Sequence, residues 1–154
     1  MKGKITNQGG LSLVELLIVV AIILIIAALA IPNLLRSRKA ANEPSAAGSG
    51  RTINTAQVAY ASAHPKTGFA CDLALLGAAG FIDEVLANGN KSGYLFAMVG
   101  CKRQNGIVVG YAWTASPSIP GTTGTRFFCG DETGVIRFSL KDAADCRRNG
   151  QPLR

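Results

Sequence analysis

A run of apolar residues near the amino terminus places the strongest constraint on how this 154-residue chain folds. From Leu16 to Ile31 no side chain is charged or strongly polar. The wider stretch from Leu11 to Leu35 is broken only by Ser12, Glu15, Pro32 and Asn33. About 20 apolar residues in a helix cross the roughly 30 Å hydrocarbon core of a bilayer, and a helix satisfies its own backbone hydrogen bonds there. The run therefore predicts a membrane-spanning helix.

Glu15 is the informative exception near the start of this run. A charge at bilayer depth costs at least about 2.5–3.5 kcal/mol on insertion scales, so such a residue usually has a function and needs a partner. A secretory signal peptide would explain Lys2 and Lys4, but its apolar core is shorter and carries small residues after it, whereas Gly9 and Gly10 come before. An ordinary single-span anchor leaves the glycines and Glu15 unexplained. Neither alternative accounts for the whole segment.

The segments Gly10–Val20 (GLSLVELLIVV) and Ala30–Leu35 (AIPNLL) resemble the start of a type IV prepilin. The resemblance covers about residues 1–40. It implies that a prepilin peptidase cuts after Gly10 and methylates the new amino terminus at Leu11. It also implies that Glu15 guides subunits into a filament. Leu11 departs from the family pattern, which most often has Phe at this position.

The physical chemistry of the segment supports the role that the resemblance gives to Glu15. Cleavage after Gly10 creates an α-amine at Leu11, which is largely protonated at neutral pH. A buried carboxylate is tolerated when it is paired. In a helical stack, the amine of an incoming subunit could pair with Glu15 of its neighbour. The apolar surface would then supply contact area and the ion pair would set the axial register.

The resemblance divides the chain into four segments. These are a leader (1–10), a transmembrane and polymerisation helix (11–35), the second half of the amino-terminal helix (36–64) and a globular head (65–154). In the family's orientation the protein spans the inner membrane once, with its head in the periplasm, before it joins a pilus on the cell surface.

The basic residues Arg36, Arg38 and Lys39 follow the apolar run directly and contribute to a formal net charge of +7. A basic balance also suggests nucleic-acid binding. No aromatic side chains accompany these charges, so a solvated surface with lipid-headgroup anchors is favoured and no specific nucleic-acid site is predicted. Because Lys2 and Lys4 are also positive, the positive-inside rule does not decide the orientation.

The remainder of the amino-terminal helix is predicted to be interrupted. Pro32 lacks a backbone donor, so a kink or local melting is expected there. Glu43-Pro44 and Gly48-Ser49-Gly50 weaken the second half, and a new helical segment is predicted to start at Asn42 or Glu43. The helix ends at His64-Pro65. One face has helical spacing and should pack under the head; it comprises Ala46, Ile53, Ala56, Tyr60 and Ala63.

The sequence period changes from helix to strand after residue 93. Residues 66–93 are predicted to form a connecting loop with short helical turns. Four strands follow, at Tyr94–Val99, Ile107–Ala115, Arg126–Cys129 and Val135–Ser139. The predicted fold class is α+β, with a long amino-terminal α-helix packed on a small antiparallel β-sheet head, as in pilins.

The four cysteines all lie in the predicted head. They have no paired Cys-x-x-Cys spacing typical of zinc sites. With the head outside the cytoplasm, as the resemblance implies, two disulfides are expected. Three connectivities are possible, and Cys71–Cys101 with Cys129–Cys146 is favoured because each closes a local loop.

No catalytic constellation, metal-ligand cluster or cofactor motif is predicted. His64 is the only histidine, which gives a metal site or a catalytic triad little support. Four spaced acids do not make a calcium loop, so they are interpreted as exposed turn acids; they are Asp131, Glu132, Asp142 and Asp145.

The resemblance therefore implies a non-enzymatic subunit of a type IV pilus. Its partners would be other copies of itself, the prepilin peptidase, the pilus assembly machinery and the inner membrane. The filament would serve attachment, twitching motility or DNA uptake. The alternative is a pseudopilin of a type II secretion system, whose amino terminus would look the same. A fibre that conducts electrons through stacked aromatic side chains is disfavoured, because no aromatic residue precedes Tyr60.

Overall fold

A computed structural model describes residues 12–153. It opens with helix α1 (Leu13–Ala63), and contacts divide the chain into two compact units, one ending at Leu34 and one beginning at Leu35. We call the second the carboxy-terminal unit (residues 35–154). After α1 this unit contains α2 (Leu73–Ala78), α3 (Glu84–Ala87), β1 (Asn90–Lys91), β2 (Tyr94–Gln104), β3 (Ile107–Pro117), β4 (Phe127–Asp131), β5 (Arg137–Ser139), α4 (Ala143–Asn149) and β6 (Gln151–Pro152).

Helix α1 is 51 residues long and has no break. The interruptions predicted at Glu43-Pro44 and Gly48-Ser49-Gly50, and the new start at Asn42 or Glu43, are therefore wrong. Intrinsic propensity is a weak determinant here, because most helical stability in proteins comes from packing of a buried face. The helix also continues through Pro32, and the kink expected there stays a prediction.

The buried face of α1 is the one that the spacing predicted, with additions. Ala46, Ile53 and Ala56 are buried, and Tyr60 packs against the core from a half-buried position. Ala63 is exposed, since α1 ends there. The additional buried positions are small or polar, which is why an apolar pattern did not include them; they are Ala47, Ser49, Gly50, Asn54 and Gln57.

The sheet has six strands in the order β1-β2-β3-β4-β5-β6, and each pairs antiparallel with the next. The prediction of an antiparallel sheet packed with a long helix is confirmed, but the number of four strands is wrong. The two additional strands, β1 and β6, are at the edges and contain two residues each. Such a strand is too short for alternation to reveal.

The longest hairpin joins β2 and β3 through Asn105 and Gly106. Both residues have positive φ, 51° and 83°. Asn-Gly is the sequence that favours this two-residue turn, because both of its central positions need a left-handed backbone. β3 thereby lies in the middle of the sheet, with strands on both sides.

The side chains of β3 that face α1 form the centre of the core. Trp113 and Ala115 are fully buried, and Tyr111 is nearly so. The Trp113 ring lies against Gly50 so closely that a Cβ at Gly50 would overlap it. Gly50 therefore lets the helix backbone approach the sheet at this point.

The two helical glycines near this contact provide a matched pair. Gly48→Ala meets nothing within 4 Å, and it should stabilise the chain by up to about 1 kcal/mol because Ala is the better helix former. Gly50→Ala gains the same propensity but must displace Trp113, and overpacking of this kind typically costs about 1–3 kcal/mol. Denaturant unfolding of the full chain in detergent, followed by Trp113 fluorescence, should therefore give shifts of opposite sign. Equal shifts would show that Gly50 is not a close-packing position.

Candidate functional site

The acid that the sequence singles out lies in the first turn of α1. Glu15 is exposed there, and the Leu16 N–H donates to the Ser12 carbonyl at 3.1 Å to open the helix. A negative charge in the first turn interacts favourably with the helix dipole. Gly10 and Leu11, the predicted sites of cleavage and methylation, lie outside the described residues.

The amino-terminal part of α1 has large, exposed apolar side chains on all its sides. Every Leu, Ile and Val from Leu13 to Leu35 is between 42% and 77% exposed. A helix that is apolar on all sides requires apolar surroundings, either lipid or other helices. Within the described residues, α1 is the one helix long and apolar enough to cross a membrane.

Glu15 has no cationic side chain near it in this part of the chain. Between Ser12 and Leu35 the sequence holds no Lys or Arg. In lipid or in a helix bundle, an ionised carboxylate needs a cation and hydrogen bonds to offset its lost hydration. No side chain from Ser12 to Leu35 therefore offers Glu15 a cationic partner.

Farther along α1, Glu43 attaches the helix to a loop 82 residues away in the sequence. Its carboxylate accepts hydrogen bonds from the Thr125 N–H at 2.8 Å and the Thr125 hydroxyl at 2.7 Å. The Arg126 guanidinium lies 3.6 Å from the second carboxylate oxygen. We call these contacts of Glu43 the collar. Sequence analysis missed it, because it interpreted Glu43 only as the start of a helical segment.

These contacts favour the ionised form of the Glu43 carboxyl. Partial burial acts to raise its pKa, but the hydrogen bonds from the Thr125 hydroxyl and N–H, together with the Arg126 backbone and charge, outweigh burial and lower the pKa. The neighbouring Asn42 side-chain amide donates to the Thr123 carbonyl at 2.9 Å. One turn of α1 is thus bonded to residues 123–126 through the side chains of Asn42 and Glu43.

A second polar anchor lies within the core. The Asn54 carbonyl oxygen accepts from the Trp113 indole N–H at 2.7 Å and the Tyr111 hydroxyl at 3.1 Å, while the Asn54 amide donates to the Gly134 carbonyl at 3.1 Å. Burial raises the pKa of Tyr111 to about 12, with Asp131 and Glu132 adding to the shift. Tyr111 therefore remains a neutral donor at physiological pH.

Gln57 makes the corresponding anchor on the next turn of the helix. It is fully buried, and its side-chain amide donates to the Ala70 carbonyl and accepts from the Ala70 N–H, both at 2.8 Å. This reciprocal pair fixes the segment after α1 against the helix. Buried polar groups of this kind specify one arrangement, because any shift leaves them unpaired.

Two disulfides connect the elements of the carboxy-terminal unit. Cys71 bonds to Cys101, which ties the segment before α2 to β2, and Cys129 bonds to Cys146, which ties β4 to α4. This is the pairing that the sequence analysis favoured. The bonds span 30 and 17 residues, and loop-entropy models give about 3 kcal/mol for closing a 15-residue loop.

The remaining polar candidates have local partners. Asp131 pairs with Arg137 at 3.0 Å, and Glu132 pairs with Lys102 at 2.9 Å. Asp142 caps α4, and Asp145 accepts from Ser139 and Asn149. His64 stacks on Tyr60 with the ring centroids 4.2 Å apart. Across residues 12–153, no group of three His, Cys, Asp or Glu side chains is placed to hold a metal ion.

Comparison with known proteins bears on the amino-terminal segment. The family model described as the prokaryotic N-terminal methylation motif matches residues 5–31. A type IV wide pilus major component, PilA4 of Thermus thermophilus, is 62% identical over 37 residues. The amino-terminal segment of this chain is therefore similar to that of a type IV pilin. The similarity to PilA4 covers 24% of this chain and 28% of that protein.

The rest of the chain has an α+β architecture and lies outside the residues that the motif model matches. No solved structure matches the chain. The matched residues 5–31 include Glu15 and most of the exposed apolar side chains of α1. The collar, the buried anchors and the disulfides lie in the carboxy-terminal unit. The activity and partners of the whole protein are matters for proposal.

The collar predicts an acid sensitivity of the fold. Because the Glu43 pKa is lowered from 4.5 in the folded chain, its contribution is present above about pH 4.5 and is lost as the pH falls through the folded value. Glu43→Gln should cost about 1.5–3 kcal/mol at neutral pH, as expected for hydrogen bonds to a charged group. The unfolding free energy of this variant should also decrease less than that of the native chain as the pH falls into the acid range. Glu84 is an exposed acid outside the collar, and Glu84→Gln should leave the dependence of unfolding free energy on acid pH unchanged. The same unchanged dependence in Glu43→Gln would contradict the role given to Glu43 in the collar.

Proposed function

We propose that this chain is a structural subunit of a type IV pilus, with no catalytic role of its own. The observation that carries the proposal is Glu15, the only charged residue in an exposed apolar helical segment that follows Gly10. The match of residues 5–31 to the methylation motif supports it. On this proposal a prepilin peptidase removes residues 1–10 and methylates the amine of Leu11, as the motif implies.

Assembly would exchange one apolar environment for another. In the inner membrane the segment from Leu13 to Leu35 faces lipid, and in the filament it faces the same segment of other copies. Because that surface is apolar in both settings, the hydrophobic effect contributes little to choosing between them. The Leu11 amine of an incoming copy would pair with Glu15 of a copy already in the filament, which gives direction and axial register.

The proposed course begins with the chain spanning the inner membrane and the residues after α1 in the periplasm. The two disulfides are consistent with an oxidising compartment. The pilus assembly machinery would then extract the subunit into a homopolymer at the cell surface, where the filament serves attachment, twitching motility or DNA uptake.

Processing is tested by the intact mass of the protein sheared from the cell surface. The mass should correspond to a chain that begins at Leu11, carries one additional methyl group and lacks four cysteine hydrogens. Processed protein confined to the membrane fraction would favour the alternative, a pseudopilin of a type II secretion system. A chain that still begins at Met1 would contradict the proposal.

Glu15→Ala tests assembly separately from processing. The variant should be cleaved and should remain in the membrane, since the apolar segment is intact, but the amount of sheared filament should fall by about tenfold or more because the buried amine loses its partner. Glu84→Ala removes an exposed acid from the carboxy-terminal unit and serves as the matched control. Filaments at the normal level in Glu15→Ala would exclude the ion pair as a requirement.

A further inference from the structure

The basic residues that follow the apolar segment have no acidic partner nearby. Arg36 and Arg38 are exposed, and neither makes an ion pair with any residue from 12 to 153. The sequence holds no Asp or Glu between Glu15 and Glu43, and the Glu43 carboxylate is occupied by Thr125 and Arg126. The charge at this point of α1 is therefore available to an external anion.

Lys39 belongs to the same turn. It is half-buried and donates one long hydrogen bond, of 3.4 Å, to the Gly121 carbonyl. A lysine ammonium has three donors, so two remain for other groups. Arg36, Arg38 and Lys39 together form what we call the basic turn.

The length of the apolar segment determines where the basic turn would lie in a bilayer. From Leu13 to Leu35, 23 residues at a rise of 1.5 Å span roughly 34 Å, slightly more than the hydrocarbon thickness of about 30 Å. The residues just after Leu35 therefore reach the level of the phospholipid phosphates. Long Arg and Lys side chains can extend their charged ends to that level while their stems remain in apolar surroundings.

We propose that the basic turn is a binding surface for anionic phospholipid headgroups in the leaflet that faces the periplasm. The proposal rests on the proposed function, which gives the orientation in the membrane. Guanidinium groups match phosphate oxygens with paired hydrogen bonds, and anionic lipids attract basic residues beside a membrane helix. The contact would hold the segment at a fixed depth until the subunit leaves the bilayer.

The orientation provides a separate argument for a lipid ligand. Basic residues beside a membrane helix favour the cytoplasmic side, so the basic turn opposes the proposed orientation. The proposed orientation in the membrane therefore does not explain why the basic turn follows the apolar segment. Phosphate contacts on the periplasmic side would offset the unfavourable placement.

Lipid selectivity of the full chain in vesicles tests the proposal. The vesicles contain phosphatidylcholine with a minor fraction of phosphatidylglycerol, and spin-labelled forms of each lipid are added in separate samples. The immobilised fraction of each probe gives the relative association with the protein. The native chain should prefer phosphatidylglycerol severalfold, and high salt should reduce the preference because exposed charges are screened.

A triple variant and a matched control isolate the basic turn. Arg36→Gln, Arg38→Gln and Lys39→Gln together should lower the preference to near unity. Lys141→Gln, Arg147→Gln and Arg148→Gln remove the same charge from exposed sites in and beside α4 and should retain it. Equal loss in both variants, or no preference in the native chain, would overturn the inference. Vesicle flotation separates the two proposals, because a chain that fails to insert contradicts the proposed function, whereas an inserted chain without selectivity contradicts only the lipid surface.

Discussion

The uncovered apolar surface of residues 13–35 is the constraint on which the proposed biology depends. Its Leu, Ile and Val side chains have no cover within the described chain, and they lie on all sides of the helix. Such a segment requires apolar surroundings, either lipid or other helices. In either setting, a carboxylate at Glu15 has too little water to be solvated. The same feature that makes Glu15 costly therefore makes it selective for a cationic partner.

The second half of α1 is attached to the sheet by close packing and buried hydrogen bonds as well as by apolar contacts. There the buried face is small and polar as well as apolar, since Gly50 admits the Trp113 ring and Asn54 receives hydrogen bonds from Trp113 and Tyr111. Apolar burial alone tolerates sliding, whereas a hydrogen-bonded Asn and a closely packed Gly permit one register. The helix remains unbroken across Pro44 and the neighbouring glycines because these contacts outweigh local propensity.

The sequence predicts those parts of the fold that depend on local pattern. The apolar run predicted the first half of α1, and helical spacing predicted the buried face of its second half. Alternation predicted the positions of β2 to β5, and local loop closure favoured the disulfide pairing found. The edge strands β1 and β6 form only because a neighbouring strand is present, so their two residues carry no periodic signal. α4 did have a readable signal, since Asp142 caps it three residues before Asp145.

The candidate site likewise has one part that the sequence predicts and another that it does not. Glu15 was identified because its charge contrasts with the apolar residues beside it in the sequence. The collar was missed because its two halves are 82 residues apart, and only the fold brings Glu43 to Thr125. In addition, a Glu-Pro pair is a common helix start, so the local interpretation of Glu43 had a sufficient explanation and suggested no distant partner.

The order of charges along α1 connects these observations. One acid, Glu15, lies near the start of the apolar segment, and the basic turn follows the segment. The next acid, Glu43, belongs to the collar, where Thr125 and Arg126 bind its carboxylate. Glu43 lies about one turn from Lys39, and without the collar its carboxylate could pair with Lys39 through a helical i,i+4 contact, which would partly offset the charge of the basic turn. The collar therefore has an electrostatic consequence as well as a structural one. By binding the single nearby carboxylate, it leaves the positive charge of the basic turn undiminished beside the apolar segment.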